Sequence, residues 1–289
     1  MTPGFTEHRY SAEDGLSLYY RRYGDPLARK LPVLCLSGLT RNSRDYHDLA
    51  ARLSRDRLVI CPDYRGRGRS AYDPDWRHYR PETYLRDIAQ LMTIEGLERV
   101  IAIGTSLGGL LTMGLAVLRP SAIVGAILND VGPDLQEEGV TRILGYIGSD
   151  DPQPDWETAA RELERRLPQL GLKGAAKWRR LAEGTYRMGE DGRLHVDWDI
   201  EIVRPLRLAA KAPPPDLWRL FHALRDRPLL VIRGGLSDIL TEATLGRMIA
   251  ARPDLRHVTL PGVGHVPALD EPQSLEAIDA FLDGIPDHG

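Results

Sequence analysis

The chain has 289 residues, 42% of them hydrophobic and 27% charged, which excludes a disordered chain, a collagen or a coiled coil. The length fits one large domain or two small ones, able to bury roughly 75% of the unfolded surface without a disulfide or metal staple. With 38 basic and 41 acidic residues the net charge is −3, so the strongly basic footprint of a nucleic-acid binder is missing.

Met1–Tyr10 carries Glu7, His8 and Arg9 with no apolar core, so it is not expected to act as a signal peptide. Phe5–Ser11 and Leu16–Tyr23, split by Glu13-Asp14-Gly15, read as an antiparallel hairpin. Val33–Leu36 is a strand, and Asp45–Ser54 a helix with Tyr46, Leu49, Ala50 and Leu53 on one face. Leu58–Cys61 is the next strand. Cys35 and Cys61 sit in these apolar runs and read as buried free thiols of a reducing compartment. Pro81 suits a first helical turn, and Leu85, Ile88, Ala89 and Met92 form that helix's stripe. Strand Val100–Ile103, helix Ser106–Leu118 and strand Ile123–Leu128 follow.

The rhythm stops between Pro133 and about Arg225. This stretch is helix-rich, broken by Asp151-Pro152-Gln153-Pro154 and Pro213-Pro214-Pro215, and holds Trp156, Trp178, Trp198 and Trp218. Residues 186–188 and 194–196 suggest a small hairpin about Glu190-Asp191-Gly192. We expect residues 134–225 to be a helical cap inserted into a core of residues 1–133 and 226–289. The core resumes with strand Leu229–Ile232, helix Glu242–Ala251, strand His257–Leu260 and helix Gln273–Leu282. Continuous apolar strands between amphipathic helices predict an α/β fold with a mostly parallel sheet covered on both faces. No run reaches the ~18 apolar residues of a membrane span, and a soluble cytoplasmic protein without a membrane partner is expected.

Gly104-Thr105-Ser106-Leu107-Gly108 lies between a strand and an apolar helix, the setting of a nucleophile elbow. So tight a turn strains Ser106 and leaves no room for side chains at 104 and 108. It also puts the Leu107 amide at a helix N-terminus, where it can donate to a developing oxyanion. Serine needs a base at neutral pH. His265, in the loop Pro261-Gly262-Val263-Gly264-His265-Val266-Pro267 after a late strand, is the candidate. The carboxylate that orients it is expected to be Asp238, directly after strand Leu229–Ile232. Asp130, after strand Ile123–Leu128, is the competitor. The second oxyanion donor is expected from Ser37-Gly38-Leu39-Thr40, as the Leu39 amide. Arg41 and Arg44, just beyond, either meet an acidic substrate or form loop salt bridges. No His, Cys and carboxylate cluster has zinc-site spacing, and no cofactor is expected.

These residues resemble the α/β-hydrolase superfamily over nearly the whole chain. The likeness rests on Ser37-Gly38-Leu39, on Asp63-Tyr64-Arg65-Gly66-Arg67-Gly68-Arg69-Ser70, on the Ser106 elbow, on Asp130-Val131-Gly132-Pro133 and on Gly264-His265. It implies an eight-stranded sheet with a cap, a structural role for Asp63–Ser70, and a serine hydrolase cleaving a small carboxylic ester or lactone through an acyl-enzyme. Where Ser106 stands, epoxide hydrolases and haloalkane dehalogenases of this fold have an aspartate. Many members carry His-Gly at Ser37-Gly38. The Ser-Gly version is similar to some carbon–carbon bond hydrolases of aromatic ring-cleavage products, which makes cleavage of a vinylogous diketone the alternative reaction. A ligand-sensing module with negligible turnover is the alternative from another class. The tryptophans of 134–225 are expected either to line an acyl pocket or to pack as cap core.

Overall fold

The computed structural model describes residues 4–212 and 215–286. Met1–Pro3, the predicted break at Pro213-Pro214, and His288 lie outside the described residues. Strands β1 (Thr6–Ser11) and β2 (Ser17–Tyr23) form the predicted hairpin. Then come β3 (Lys30–Leu36), α1 (His47–Leu53), β4 (Arg57–Asp63), α2 (Pro81–Ile94), β5 (Val100–Thr105), α3 (Leu107–Leu118) and β6 (Ile123–Asn129). The chain next leaves the sheet for α4 (Glu137–Tyr146), α5 (Trp156–Arg166), α6 (Ala175–Thr185), the short hairpin β7 (Tyr186–Met188) and β8 (Leu194–Val196), α7 (Val203–Ala209) and α8 (Trp218–His222). It returns with β9 (Leu229–Gly234), α9 (Glu242–Ala251), β10 (Arg256–Leu260) and α10 (Pro272–Asp283).

The eight-stranded sheet has the order β1-β2-β4-β3-β5-β6-β9-β10. It is parallel from β4 to β10; β2 pairs antiparallel with both β1 and β4. Period-2 alternation explains why the central strands are apolar throughout. Val100 and Ala102 of β5 join one core cluster, while Ile101 and Ile103 join the other. Leu34 and Leu36 of β3 divide from Val33 and Cys35 in the same way. Each face is covered by helices, so neither set of side chains can be polar. Cys35 and Cys61 are buried and free, as expected.

Parallel pairing brings the carboxyl ends of four strands to one rim. The register sets Thr105 beside Asn129 and Asn129 beside Ile232. The ladder runs one residue further: Ser106 N donates to the Asn129 carbonyl at 3.0 Å, and Asp130 N to the Ile232 carbonyl at 2.7 Å. The loops after β5, β6, β9 and β10 therefore meet at one edge. The segment between β6 and β9 packs onto that edge: Gly264 N donates to the Leu170 carbonyl at 3.2 Å. A Cβ on Gly264 would lie 1.8 Å from the Gln169 carbonyl oxygen, so the approach needs glycine. Among the described residues no helix is long and apolar enough to cross a membrane.

Candidate active site

Ser106 joins β5 to α3 with φ 51° and ψ −115°, a strained conformation for any residue but glycine. Its neighbours show why the turn is built as it is. A Cβ at Gly104 would stand 2.4 Å from the Gly108 carbonyl oxygen, and one at Gly108 would stand 1.9 Å from that of Leu36. Helix α3 is thus pressed against β3 and β5, and the serine is left at its N-terminus.

His265 reaches this serine from the loop after β10. Its Nε2 lies 3.1 Å from Ser106 Oγ, and its Nδ1 lies 2.6 Å from Asp130 Oδ2. The His265 side chain is only 9% exposed and that of Asp130 is fully buried. With Asp130 accepting from Nδ1–H, the Nε2 lone pair faces the serine hydroxyl. This arrangement can take the hydroxyl proton as Oγ attacks a carbonyl carbon.

The position expected for the acid needs a correction. Asp238 does not bond His265. Its two oxygens accept from Arg142 Nη2 and Nε at 2.8 and 2.7 Å. Asp130, the competitor, holds the imidazole. Because β6 and β9 are neighbours in the sheet, the ends of both lie near the β10 loop. Asp130 adopts φ 57°, a left-handed conformation that aspartate tolerates better than most residues. The loop expected to carry the acid supports it instead. Gly234 N donates to Asp130 Oδ1 at 2.7 Å and Ser237 Oγ to Oδ2 at 2.6 Å. Thus Asp130 accepts three hydrogen bonds while fully buried, which satisfies a carboxylate in this setting.

Leu107 and Leu39, the expected oxyanion donors, lie on the two elements that flank Ser106. Leu107 is the first residue of α3, so its N–H has no partner in the helix ladder. Gly38 faces the serine, its Cβ position lying 3.9 Å from Ser106 Cβ. Three successive carbonyls of the Leu39 loop are pinned. Tyr64 Oη donates to Ser37 O at 3.1 Å, Arg41 N to Gly38 O at 3.1 Å, and Arg67 Nε to Leu39 O at 2.8 Å. In a trans peptide the N–H opposes the C=O, so fixing Gly38 O fixes the Leu39 N–H.

Asp63–Ser70 therefore does structural work, and sequence reasoning missed its link to the Leu39 loop. Arg67 lies over the Tyr84 ring at 4.7 Å as it reaches Leu39. Arg65 Nη1 bridges Asp14 and Asp73, and its other edge forks onto Asp87 at 2.8 and 2.7 Å. Asp14, Asp73 and His78 form the one metal-like trio among the described residues, and the Arg65 guanidinium already supplies a cation to both of its carboxylates.

The cavity above Ser106 has a volume of about 760 Å³. Leu39, Ile143, Leu167, Leu170 and Trp198 give it apolar walls. Of the four tryptophans in 134–225, only Trp198 lines it; its Nε1 donates to the Ile147 carbonyl at 2.9 Å. Trp178 is buried away from it in the packing of α6. Arg41 and Arg44 border the cavity but form salt bridges. Arg41 forks onto Asp45 at 2.7 and 2.6 Å and also donates to Thr185 Oγ1, while Arg44 donates to Asp197 at 2.5 Å.

A parallel sheet with a serine elbow after β5 and a histidine after the last strand defines an α/β hydrolase. A sequence model of the alpha/beta hydrolase family matches residues 33–278, and the chain belongs to that family. It is an enzyme of the hydrolase class. It is 35% identical over 272 residues to the 3-hydroxybutyrate-oligomer hydrolase of Cupriavidus necator, covering 92% of each chain. It is 29% identical over 255 residues to the 2-(acetamidomethylene)succinate hydrolase of Mesorhizobium japonicum, covering 87% of each. Among solved structures, an alpha/beta hydrolase from Novosphingobium aromaticivorans superposes with a TM-score of 0.92 at 45% identity, covering 98% of this chain and 99% of that one.

Proposed function

We propose that this chain is a serine hydrolase of carboxylic esters, with short linear esters of hydroxy acids as its foremost substrates and small lactones as a related class. The contact that carries this reading is Ser106 Oγ, on a strained elbow, 3.1 Å from an imidazole nitrogen whose ring is held by Asp130. The substrate class is supported by the likeness to the 3-hydroxybutyrate-oligomer hydrolase and by a cavity with room for more than one acyl unit. Residues 134–225 serve as the cap that closes over it, in a cytoplasmic setting that suits two free buried thiols.

In this mechanism His265 Nε2 removes the Ser106 proton as Oγ adds to the ester carbonyl. The Leu39 and Leu107 N–H groups hold the oxyanion, each worth about 3 kcal/mol of barrier. The imidazolium, stabilised by the Asp130 charge, then gives its proton to the departing alkoxide. A water, deprotonated by His265, adds to the acyl-enzyme, and as the second tetrahedral species collapses the imidazolium returns that proton to the departing Ser106 Oγ, freeing the acid.

The test is a panel of graded acyl esters, hydroxyalkanoate oligomers, lactones and a vinylogous diketone, run on wild type and Ser106→Ala. Turnover of oligomers and esters is expected, falling by about 10⁴-fold or more in the variant. Wild-type activity in Ser106→Ala would overturn the reading. Faster cleavage of the diketone than of any ester would move the assignment to carbon–carbon hydrolysis on the same residues. A chain that turns over nothing and resists a fluorophosphonate would be a ligand sensor.

A further inference from the structure

Helix α4 forms one wall of the cavity. Gly139 lets it lie directly on the loop after β9, where a Cβ would stand 2.4 Å from Ile239 Cδ1 and 2.6 Å from the Asp238 carbonyl oxygen. Further along the helix, Arg142 and Tyr146 are four residues apart and so share one face. Both line the cavity that Ser106 and His265 also line.

Their polar atoms are only partly used. Asp238 grips one edge of the Arg142 guanidinium through Nε and Nη2. The Nη1 group has no acceptor among the described residues, and neither does Tyr146 Oη. Arg41 differs, since Asp45 takes one edge and Thr185 the other. Through Arg142 the Arg142–Asp238 pair stands at the wall of the cavity that Ser106 and His265 also line. It keeps 27% and 35% side-chain exposure, so a second carboxylate can approach without meeting an unscreened Asp238 charge. Burial pushes the Tyr146 hydroxyl above its ordinary range, against the pull of Arg142 and Arg41, and keeps it a neutral donor.

We propose that Arg142 Nη1 and Tyr146 Oη together bind a free carboxylate on the substrate, with Asp238 as the positioning residue that aims the guanidinium. This rests on the ester-hydrolase reading and narrows it: the preferred substrates are esters that carry an acid terminus.

Two probes of nearly equal size test it: the p-nitrophenyl monoester of glutaric acid and its methyl-capped diester. Wild type is expected to favour the free acid by roughly 10–100-fold in kcat/KM, chiefly through KM, as a charge-assisted contact predicts. Tyr146→Phe should reduce that ratio several-fold, and Arg142→Gln with Asp238→Asn should bring it within about twofold of one. A purely structural helix would lower both rates and leave the ratio standing. A wild-type ratio near one, or a ratio that survives in both variants, overturns the proposal. Calorimetry of glutarate and monomethyl glutarate on Ser106→Ala separates this from the hydrolase reading. Tighter binding of glutarate, lost when Arg142→Gln and Asp238→Asn are added, supports the anchor even if no ester turns over. Equal binding of the two ligands, or binding that outlasts those changes, overturns it.

Discussion

Replacing Asp130 by Asn changes one oxygen to an amide and leaves the shape almost unaltered. The wild-type carboxylate accepts from Gly234 N on Oδ1, and from His265 Nδ1 and Ser237 Oγ on Oδ2. An asparagine can place its oxygen toward Gly234. Its NH₂ then faces Nδ1, the imidazole must accept there, and the proton moves to Nε2. That tautomer donates to Ser106 and cannot act as its base. In the other orientation the NH₂ meets the Gly234 N–H, leaving buried donors unpaired at about 1–3 kcal/mol. In either case the charge that stabilises the imidazolium is gone. The same change in a serine protease triad lowers kcat by about 10⁴-fold, which is about 5.4 kcal/mol of barrier at roughly 1.36 kcal/mol per decade. We expect Asp130→Asn to lower kcat on a neutral ester by about 10³–10⁴-fold. Asp238→Asn, which touches Arg142 and not the imidazole, should cost less than about tenfold. Stopped-flow and steady-state release of p-nitrophenol read both. The reverse order of effects would refute the assignment of Asp130 and restore Asp238.

Other outcomes follow from the packing. Gly108→Ala puts a methyl 1.9 Å from the Leu36 carbonyl oxygen, so thermal melts should show a large loss of stability or no folded protein. Tyr64→Phe removes the donor to the buried Ser37 carbonyl. It should lower stability by about 1–3 kcal/mol and slow turnover by loosening the Leu39 loop, read by denaturant titration beside kcat. Burial raises the Asp238 carboxyl, but the Arg142 hydrogen bonds and charge outweigh it, and the net shift is downward. A lowered folded value means that the tie contributes fully above the ordinary carboxylate range and is lost as pH falls through the folded value. Melting temperatures of wild type should therefore converge on those of Asp238→Asn at acid pH, and a gap that widens there would contradict the shift.

Much of this architecture can be read from the residues because the signals are local. The strands of the parallel sheet announce themselves as apolar runs, since helices cover both faces. Ser106 is marked by the glycines that its own turn demands, and His265 by a glycine loop after a late strand. The acid is a different kind of question. Asp130 and Asp238 both follow strands at the same rim, and chain order cannot say which neighbour's end reaches the imidazole. What decides it is a left-handed residue at 130 and a partner for Asp238 in a distant helix, neither visible as a motif. The support that Arg67 and Tyr64 give the Leu39 loop is hidden for the same reason, as is the turning of the Arg142 and Tyr146 face toward the cavity. The tryptophans of 134–225 have no spacing that separates Trp198, which lines the cavity, from Trp178, which is buried on α6 away from it.

Catalysis as proposed requires Ser106 to be a nucleophile that becomes acylated. Intact-mass analysis and peptide mapping after treatment with a fluorophosphonate measure this directly. One adduct per chain, located on the peptide that carries Ser106 and missing from Ser106→Ala, is the predicted result. An adduct on another residue, or an unmodified chain that still hydrolyses esters, would contradict it.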